Sequence, residues 1–116
     1  MIVVADASPL NYLILIGAAD VLPALYGSIR IAPAVASELS VAGAPDAVRR
    51  WFETKPDWLA VTAPQDISDP RLAHLDAGER EAITLAIELR ADLMLMDERD
   101  GRASAQACGL ASILFT

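Results

Sequence analysis

Short apolar runs alternate with helix-like stretches along the whole chain, and this alternation predicts strands and helices in turn. The first run, at residues 2–5, is rich in β-branched residues and is typical of a buried strand. Proline near the start of a helix and glycine after its end mark several boundaries. The pattern predicts strands at 2–5, 28–32, 58–62, 93–96 and 111–115, and helices at 9–16, 19–26, 33–40, 77–90 and 99–107, with a further helix that begins at 45 and carries residues 49–52.

Strands separated by helices of this length imply an α/β fold, with a mostly parallel sheet and helices on both faces. We expect one domain over residues 1–116, with the strand at 58–62 at an edge and the strand at 93–96 in the centre. In such sheets ligands bind beyond the carboxyl ends of the strands. Helices that follow strands begin at this same edge, so acidic residues there should come together.

Acidic side chains fall at several positions of this kind. Asp6 directly follows the first strand, and Asp97 directly follows the strand at 93–96, with Glu98 beside it. Glu38 and Glu81 each lie in the second turn of a predicted helix. Two like charges about 4 Å apart repel by roughly 4 kcal/mol at an effective dielectric constant of 20. A hard divalent cation, Mg²⁺ or Mn²⁺, is the counter-charge that such oxygen ligands favour.

Composition restricts the function further. The 116 residues carry a formal net charge of −7, and such a field repels a phosphodiester backbone unless a cation neutralises some carboxylates. The single cysteine, Cys108, permits no internal disulfide, which fits a reducing cytoplasm. No apolar run is long enough to cross a bilayer, and no basic region precedes the first one. We therefore expect a cytoplasmic protein that does not associate with membranes.

Three stretches carry a resemblance to a known family: VVADASPLNYLILIG at 3–17, APAVASELS at 32–40 and LDAGEREAITLAIELRADLMLMDERDGR at 75–102. In their order and spacing they resemble the PIN-domain family, and most closely its branch of small bacterial VapC-like proteins. The resemblance runs from Ile2 to about Leu110. It implies a PIN-like three-layer fold, with a mostly parallel central sheet of four to five strands flanked by helices. Relatives usually continue past the last strand with another helix, which this chain is expected to lack.

The resemblance also implies a Mg²⁺-dependent endoribonuclease, often the toxin of a toxin–antitoxin pair. The family's four acids, which hold one or two ions, are matched position by position by Asp6, Glu38, Glu81 and Asp97. Glu98 aligns with the fourth acid as well as Asp97 does. Ser8 resembles a residue that supports the first acid by hydrogen bonding, and Asn11 is a second supporting candidate on the first helix. The implied partners are an RNA substrate, a small antitoxin protein and a second copy of the chain in a homodimer.

Each acid also has a purely structural interpretation. Asp6 could end a strand or cap a helix, and Glu38 could be a solvated helix residue. Asp76 and Glu79 have the spacing of a capping box, which explains both without catalysis. Glu81 has no basic residue three or four positions away on its helix, so a helical salt bridge does not explain it.

Other classes of small acidic α/β protein fit less well. A receiver domain needs an acid pair after the first strand, and a haloacid-dehalogenase phosphatase needs a second Asp two residues after Asp6, where Ser8 stands. Glycine fingerprints of nucleotide-binding folds are absent from the sequence. The alternative that stays open is a PIN-like scaffold that is catalytically weak or inactive and acts by binding a partner protein.

Overall fold

The expected alternation of strands and helices is present in the structure, a computed structural model that describes residues 1–41, 43–97 and 100–114. Within these ranges no helix is both long and apolar enough to span a bilayer. The elements in chain order are β1 (Val3–Ala5), α1 (Ala7–Leu15), α2 (Val21–Tyr26), β2 (Ile29–Ile31), α3 (Pro33–Ser40), α4 (Asp46–Glu53), β3 (Leu59–Val61), α5 (Ala77–Glu88), β4 (Leu93–Met96), α6 (Asp100–Ala107) and β5 (Ser112–Leu114), with a 3₁₀ turn at Pro70–Leu72 between β3 and α5.

The five strands form one sheet in the order β3-β2-β1-β4-β5, and every neighbouring pair is parallel. The predicted edge position of β3 and interior position of β4 are confirmed. The chain moves outward from β1 through β2 to β3, and then returns to the other side of β1 for β4 and β5. Strand order therefore reverses between β1 and β4. The carboxyl ends of these two strands flank the switch point at which open parallel sheets bind their ligands.

The core lies between the sheet and its flanking helices. All of β1 is buried, α5 packs against β1 and β4, and α3 lies against α5. Leu10 in α1, Ile83 in α5 and Leu95 in β4 are fully enclosed side chains. Each such burial contributes about 1.5–3 kcal/mol. The ends of β1 and β4 are therefore held in place by the packed core, which makes them suitable positions for a site.

Helix boundaries differ from the predicted ones by about two residues where a local interaction decides them. Helix α1 begins at Ala7 rather than at Pro9, because the side chain of Asp6 accepts a hydrogen bond from the N–H of Ala7 and caps the helix. Helix α5 ends at Glu88, and Arg90, the last predicted residue, has a left-handed φ of 52°. The boundary at α1 places Asp6 at the junction between strand and helix.

Candidate active site

Asp6 stands at the switch point, where β1 ends and α1 begins. Its backbone N–H donates to the carbonyl oxygen of Leu95 in β4 at 2.9 Å, which extends the pairing of the two strands by one residue. Its side-chain Oδ1 accepts a hydrogen bond from the N–H of Ala7 at 2.8 Å. The residue is 6% exposed. A carboxylate held this deep costs free energy unless a positive group compensates its charge.

The pKa of Asp6 reflects that cost. Burial raises the pKa from 3.8 to about 6, while the hydrogen bond from Ala7 acts in the opposite direction. The negative charges of Asp76 and Asp97 make smaller contributions to this increase. Asp6 thus lies within electrostatic reach of two other carboxylates that come from distant parts of the chain.

Helix α3 brings Glu38 to the same place. The residue as a whole is exposed, but its carboxylate lies against the first turn of α5, where Oε1 fills the space beside the backbone of Gly78. Partial burial raises the pKa of Glu38, and the charges of Asp6 and Asp76 raise it as well. Asp6, Glu38 and Asp76 therefore form one group of interacting acids.

Asp76 is the member of this group that sequence reasoning missed. Its Oδ1 accepts a hydrogen bond from the N–H of Glu79 at 2.8 Å, so the predicted cap of α5 is present. The same carboxylate acts on both Asp6 and Glu38. The sequence signal that could have identified Asp76 was its position at the start of a helix on the carboxyl edge of the sheet. The capping-box spacing already explained Asp76, so its proximity to Asp6 and Glu38 was not anticipated.

Asp97 directly follows β4, and its charge raises the pKa of Asp6. The register that pairs Ala5 with Leu95 sets the ends of β1 and β4 side by side, which explains this proximity. Glu98 lies outside the described residues. The choice between Asp97 and Glu98 as the fourth ligand therefore stays a prediction.

Glu81 has a different environment from the other predicted acids. Its Oε1 accepts a hydrogen bond from the N–H of Ala34 in the first turn of α3 at 3.0 Å. It also lines a separate cavity, together with Pro33 and Pro64. The absence of a basic partner along its own helix therefore did not leave Glu81 without a structural explanation, because its carboxylate binds the backbone of another helix. Asp6 and Glu38 both interact electrostatically with Asp76. A ligand role for Glu81 stays a prediction.

Ser8 and Asn11, the two predicted supporting residues, line a cavity of about 230 Å³ next to Glu38. Leu39 and Pro45 contribute its apolar wall. Ser8 is exposed and Asn11 is half-buried, and within the described part of the chain neither side chain makes a hydrogen bond. Both are therefore available to a ligand that enters beside the acids.

The donor set can be compared with what a divalent cation requires. Asp6, Glu38, Asp76 and Asp97 offer carboxylate oxygens alone, which are the ligands that Mg²⁺ and Mn²⁺ prefer. Burial and the charges of neighbouring carboxylates raise the pKa values of Asp6 and Glu38, so a cation beside these two groups would be favourable. Over residues 1–41, 43–97 and 100–114, however, no three His, Cys, Asp or Glu side chains already stand in metal-holding geometry. The donors therefore fit a hard cation in their chemistry, although they do not stand in the geometry of a ready-made site.

Comparison with known proteins identifies the family. A solved structure of a PilT N-terminus domain protein from the hyperthermophilic archaeon Sulfolobus solfataricus is similar, with a TM-score of 0.66 and 20% identity over 98% of this chain and 87% of that chain. This likeness shows the fold. None of the curated proteins matches the chain. A family model described as DUF3368, a PIN domain, matches residues 2–113. Since that match covers nearly the whole length, the chain belongs to the PIN-domain family, as its motifs predicted.

Proposed function

We propose that this protein is an endoribonuclease that depends on Mg²⁺ or Mn²⁺. PIN domains are generally nucleases and usually bind divalent metals. The observation that carries the proposal is the grouping of Asp6, Glu38, Asp76 and Asp97 at the carboxyl edge, where burial and, to a smaller extent, like charges raise the pKa values of Asp6 and Glu38. A cation that entered among these carboxylates would relieve their repulsion, so its binding would be favourable.

The residues of the site have distinct contributions. Asp6, Glu38 and Asp97 would hold the cation, with Asp76 as a fourth carboxylate close by. A bound ion of this kind lowers the pKa of a water molecule and neutralises charge on the phosphoryl oxygens. Asp6 is held in place, because it is buried and the N–H of Ala7 donates to its Oδ1. Its Oδ2 accepts no hydrogen bond from the described residues and is free to bind a cation.

A proton and a cation compete for Asp6. Because the pKa of Asp6 is about 6, its carboxylate is mostly ionised at pH 7 and mostly protonated at pH 5. Cation binding requires the ionised form, so affinity should fall as the pH drops below 6. Activity in acidic buffer should fall for the same reason.

RNA is the proposed substrate, and the net charge of −7 implies that RNA approaches the acidic edge through the cation. We further propose a small antitoxin as the inhibitor, because an arginine placed among these carboxylates would form charge-assisted hydrogen bonds.

We also propose that the protein forms a homodimer in the cytoplasm. The apolar side chains of Tyr12, Leu15, Ile16 and Leu25 are half-exposed or more along α1 and α2, which supports a contact between copies there.

RNA cleavage by the purified protein tests the proposal. Cleavage should require Mg²⁺ or Mn²⁺, and it should be lost in EDTA and in Asp6→Asn. Asp20→Asn is the matched control, because Asp20 is an exposed N-cap residue of α2 whose side chain makes no cap hydrogen bond. Cleavage that persists in EDTA or in Asp6→Asn would defeat the proposal, and equal cleavage of DNA would broaden the substrate class.

A second candidate function is a PIN-like scaffold that binds a partner protein without cleaving RNA. It is favoured by the lack of a ready-made metal cluster within the described ranges. The two candidates differ in their response to cations. An unchanged melting temperature on addition of Mg²⁺ or Mn²⁺, together with no cleavage, would favour the scaffold.

A further inference from the structure

The first turn of α5 contains a glycine, Gly78, that its backbone conformation does not require. Gly78 is buried and helical, and it is not among the glycines with positive φ. Glycine is one of the least favourable residues in a helix. Some other feature must therefore favour the absence of a side chain at this position.

The carboxylate of Glu38 occupies the space that a side chain at position 78 would take. A Cβ built there would overlap Glu38 Oε1, and it would lie 3.1 Å from Glu38 Cδ and 3.6 Å from Asp76 Oδ1. All three nearest atoms belong to acidic side chains, so close packing of the α3 backbone is not the reason for the glycine. By contrast, a Cβ on Gly43 would meet nothing within 4 Å.

We propose that Gly78 is a positioning residue for the cation site, because its missing side chain lets Glu38 lie against α5 beside Asp76 and Asp6. This inference rests on the proposed function, which assigns a cation to these acids. The atom in the way is the end of a flexible side chain. A methyl group at position 78 would therefore displace the Glu38 carboxylate and leave the backbone in place, so its effect belongs to cation affinity rather than to folding.

Gly78→Ala and the matched control Gly43→Ala test the proposal in the full-length protein. Calorimetric titration with Mg²⁺ and with Mn²⁺ measures affinity, and thermal unfolding in EDTA measures stability without metal. In Gly78→Ala, affinity should fall by about tenfold or more, in the range typical of residues that orient metal ligands. Its melting temperature in EDTA should be unchanged or higher. Gly43→Ala should retain wild-type affinity, and wild-type affinity in Gly78→Ala would overturn the proposal.

The Glu38→Ala background shows whether Gly78 acts through Glu38. In that background Gly78→Ala should cause no further loss of affinity, because the displaced carboxylate is already absent. If Gly78→Ala reduced cation affinity by the same factor in both backgrounds, Gly78 would act on a group other than Glu38. That result would overturn the proposal. A Gly78→Ala protein that fails to fold should be rescued by adding Glu38→Ala, and failure of that rescue would also count against it.

Stability in EDTA separates this inference from the proposed function. If the wild-type protein binds no divalent cation, the proposed function fails, but the steric relation between Gly78 and Glu38 can still be measured. Gly78→Ala should then raise the melting temperature more in the Glu38→Ala background than in the wild-type background. An equal rise in both backgrounds would show that the two residues do not compete for the same space.

Discussion

Replacing Asp6 with asparagine should make the metal-free protein more stable at neutral pH, although Asp6 is a predicted catalytic residue. Asparagine keeps the hydrogen bond from the N–H of Ala7, because an amide oxygen caps a helix about as well as a carboxylate does. The substitution removes the negative charge from a position that is 6% exposed and lies near Asp76 and Asp97.

The size of the effect follows from the pKa of Asp6, which is about 6 in the folded protein against an ordinary value of 3.8. The folded chain therefore binds this proton more tightly than the unfolded chain does. The resulting stabilisation is complete below pH 3.8 and is lost as the pH rises through about 6. Above that pH the ionised carboxylate costs the folded state about 3 kcal/mol. For a chain of this length, that corresponds to a change in melting temperature on the order of 10 °C.

Thermal unfolding in EDTA between pH 4 and pH 8 measures the difference directly. Asp6→Asn and wild type should have similar melting temperatures near pH 4, and Asp6→Asn should become the more stable protein between pH 4 and pH 7. Saturating Mg²⁺ at pH 8 should stabilise the wild type and leave Asp6→Asn unchanged, since the variant lacks the ligand. Asp20→Asn, on the exposed N-cap of α2, should change stability little.

Two results would refute this reasoning. A lower melting temperature for Asp6→Asn at pH 8 in EDTA would mean that the carboxylate is compensated in the folded protein. A difference between the two proteins that stays constant with pH would mean that folding does not raise the pKa of Asp6.

Substitutions at Asp76, Glu81 and Leu95 should distinguish the site from the scaffold. Asp76→Asn keeps the cap on Glu79 and should weaken Mg²⁺ binding in calorimetry with little loss of stability, whereas Asp76→Ala should also lose about 1 kcal/mol of stability. Unchanged Mg²⁺ affinity in both variants would exclude Asp76 from the site. Glu81→Ala removes the acceptor for the N–H of Ala34 and should cost about 1 kcal/mol in urea unfolding. If it weakens Mg²⁺ binding as much as Asp76→Asn does, Glu81 is a ligand after all. Leu95→Ala should cost about 2–5 kcal/mol in urea unfolding, and a loss below about 1 kcal/mol would contradict its enclosed position.

The strands and helices could be predicted from the sequence because their signals are local. Apolar runs with β-branched residues mark strands, and a proline such as Pro33 marks the start of a helix. Strand order is a different kind of property. Nothing in the run at Leu93–Met96 indicates that it pairs with β1 and thereby reverses the order of the sheet. The pairing of β4 with β1 depends on packing between segments about ninety residues apart.

The site was predictable where the position of an acid followed from the end of a strand. Asp6 and Asp97 were placed at the carboxyl edge by this rule, and the structure has them within electrostatic reach of each other. Glu81 and Asp76 were harder to interpret, because each has a partner that explains it structurally. The partner of Glu81 is 47 positions away, on another helix, so its spacing along α5 carries no information about that contact.

The reversal of strand order between β1 and β4 also determines when the acidic group can assemble. Its members stand at positions 6, 38, 76 and 97, so they span most of the polypeptide. A nascent chain that has not yet delivered β4 to the sheet holds Asp6 without Asp97. For the proposed ribonuclease, this means that RNA cleavage has to wait until residue 97 has been synthesised and β4 has joined the sheet.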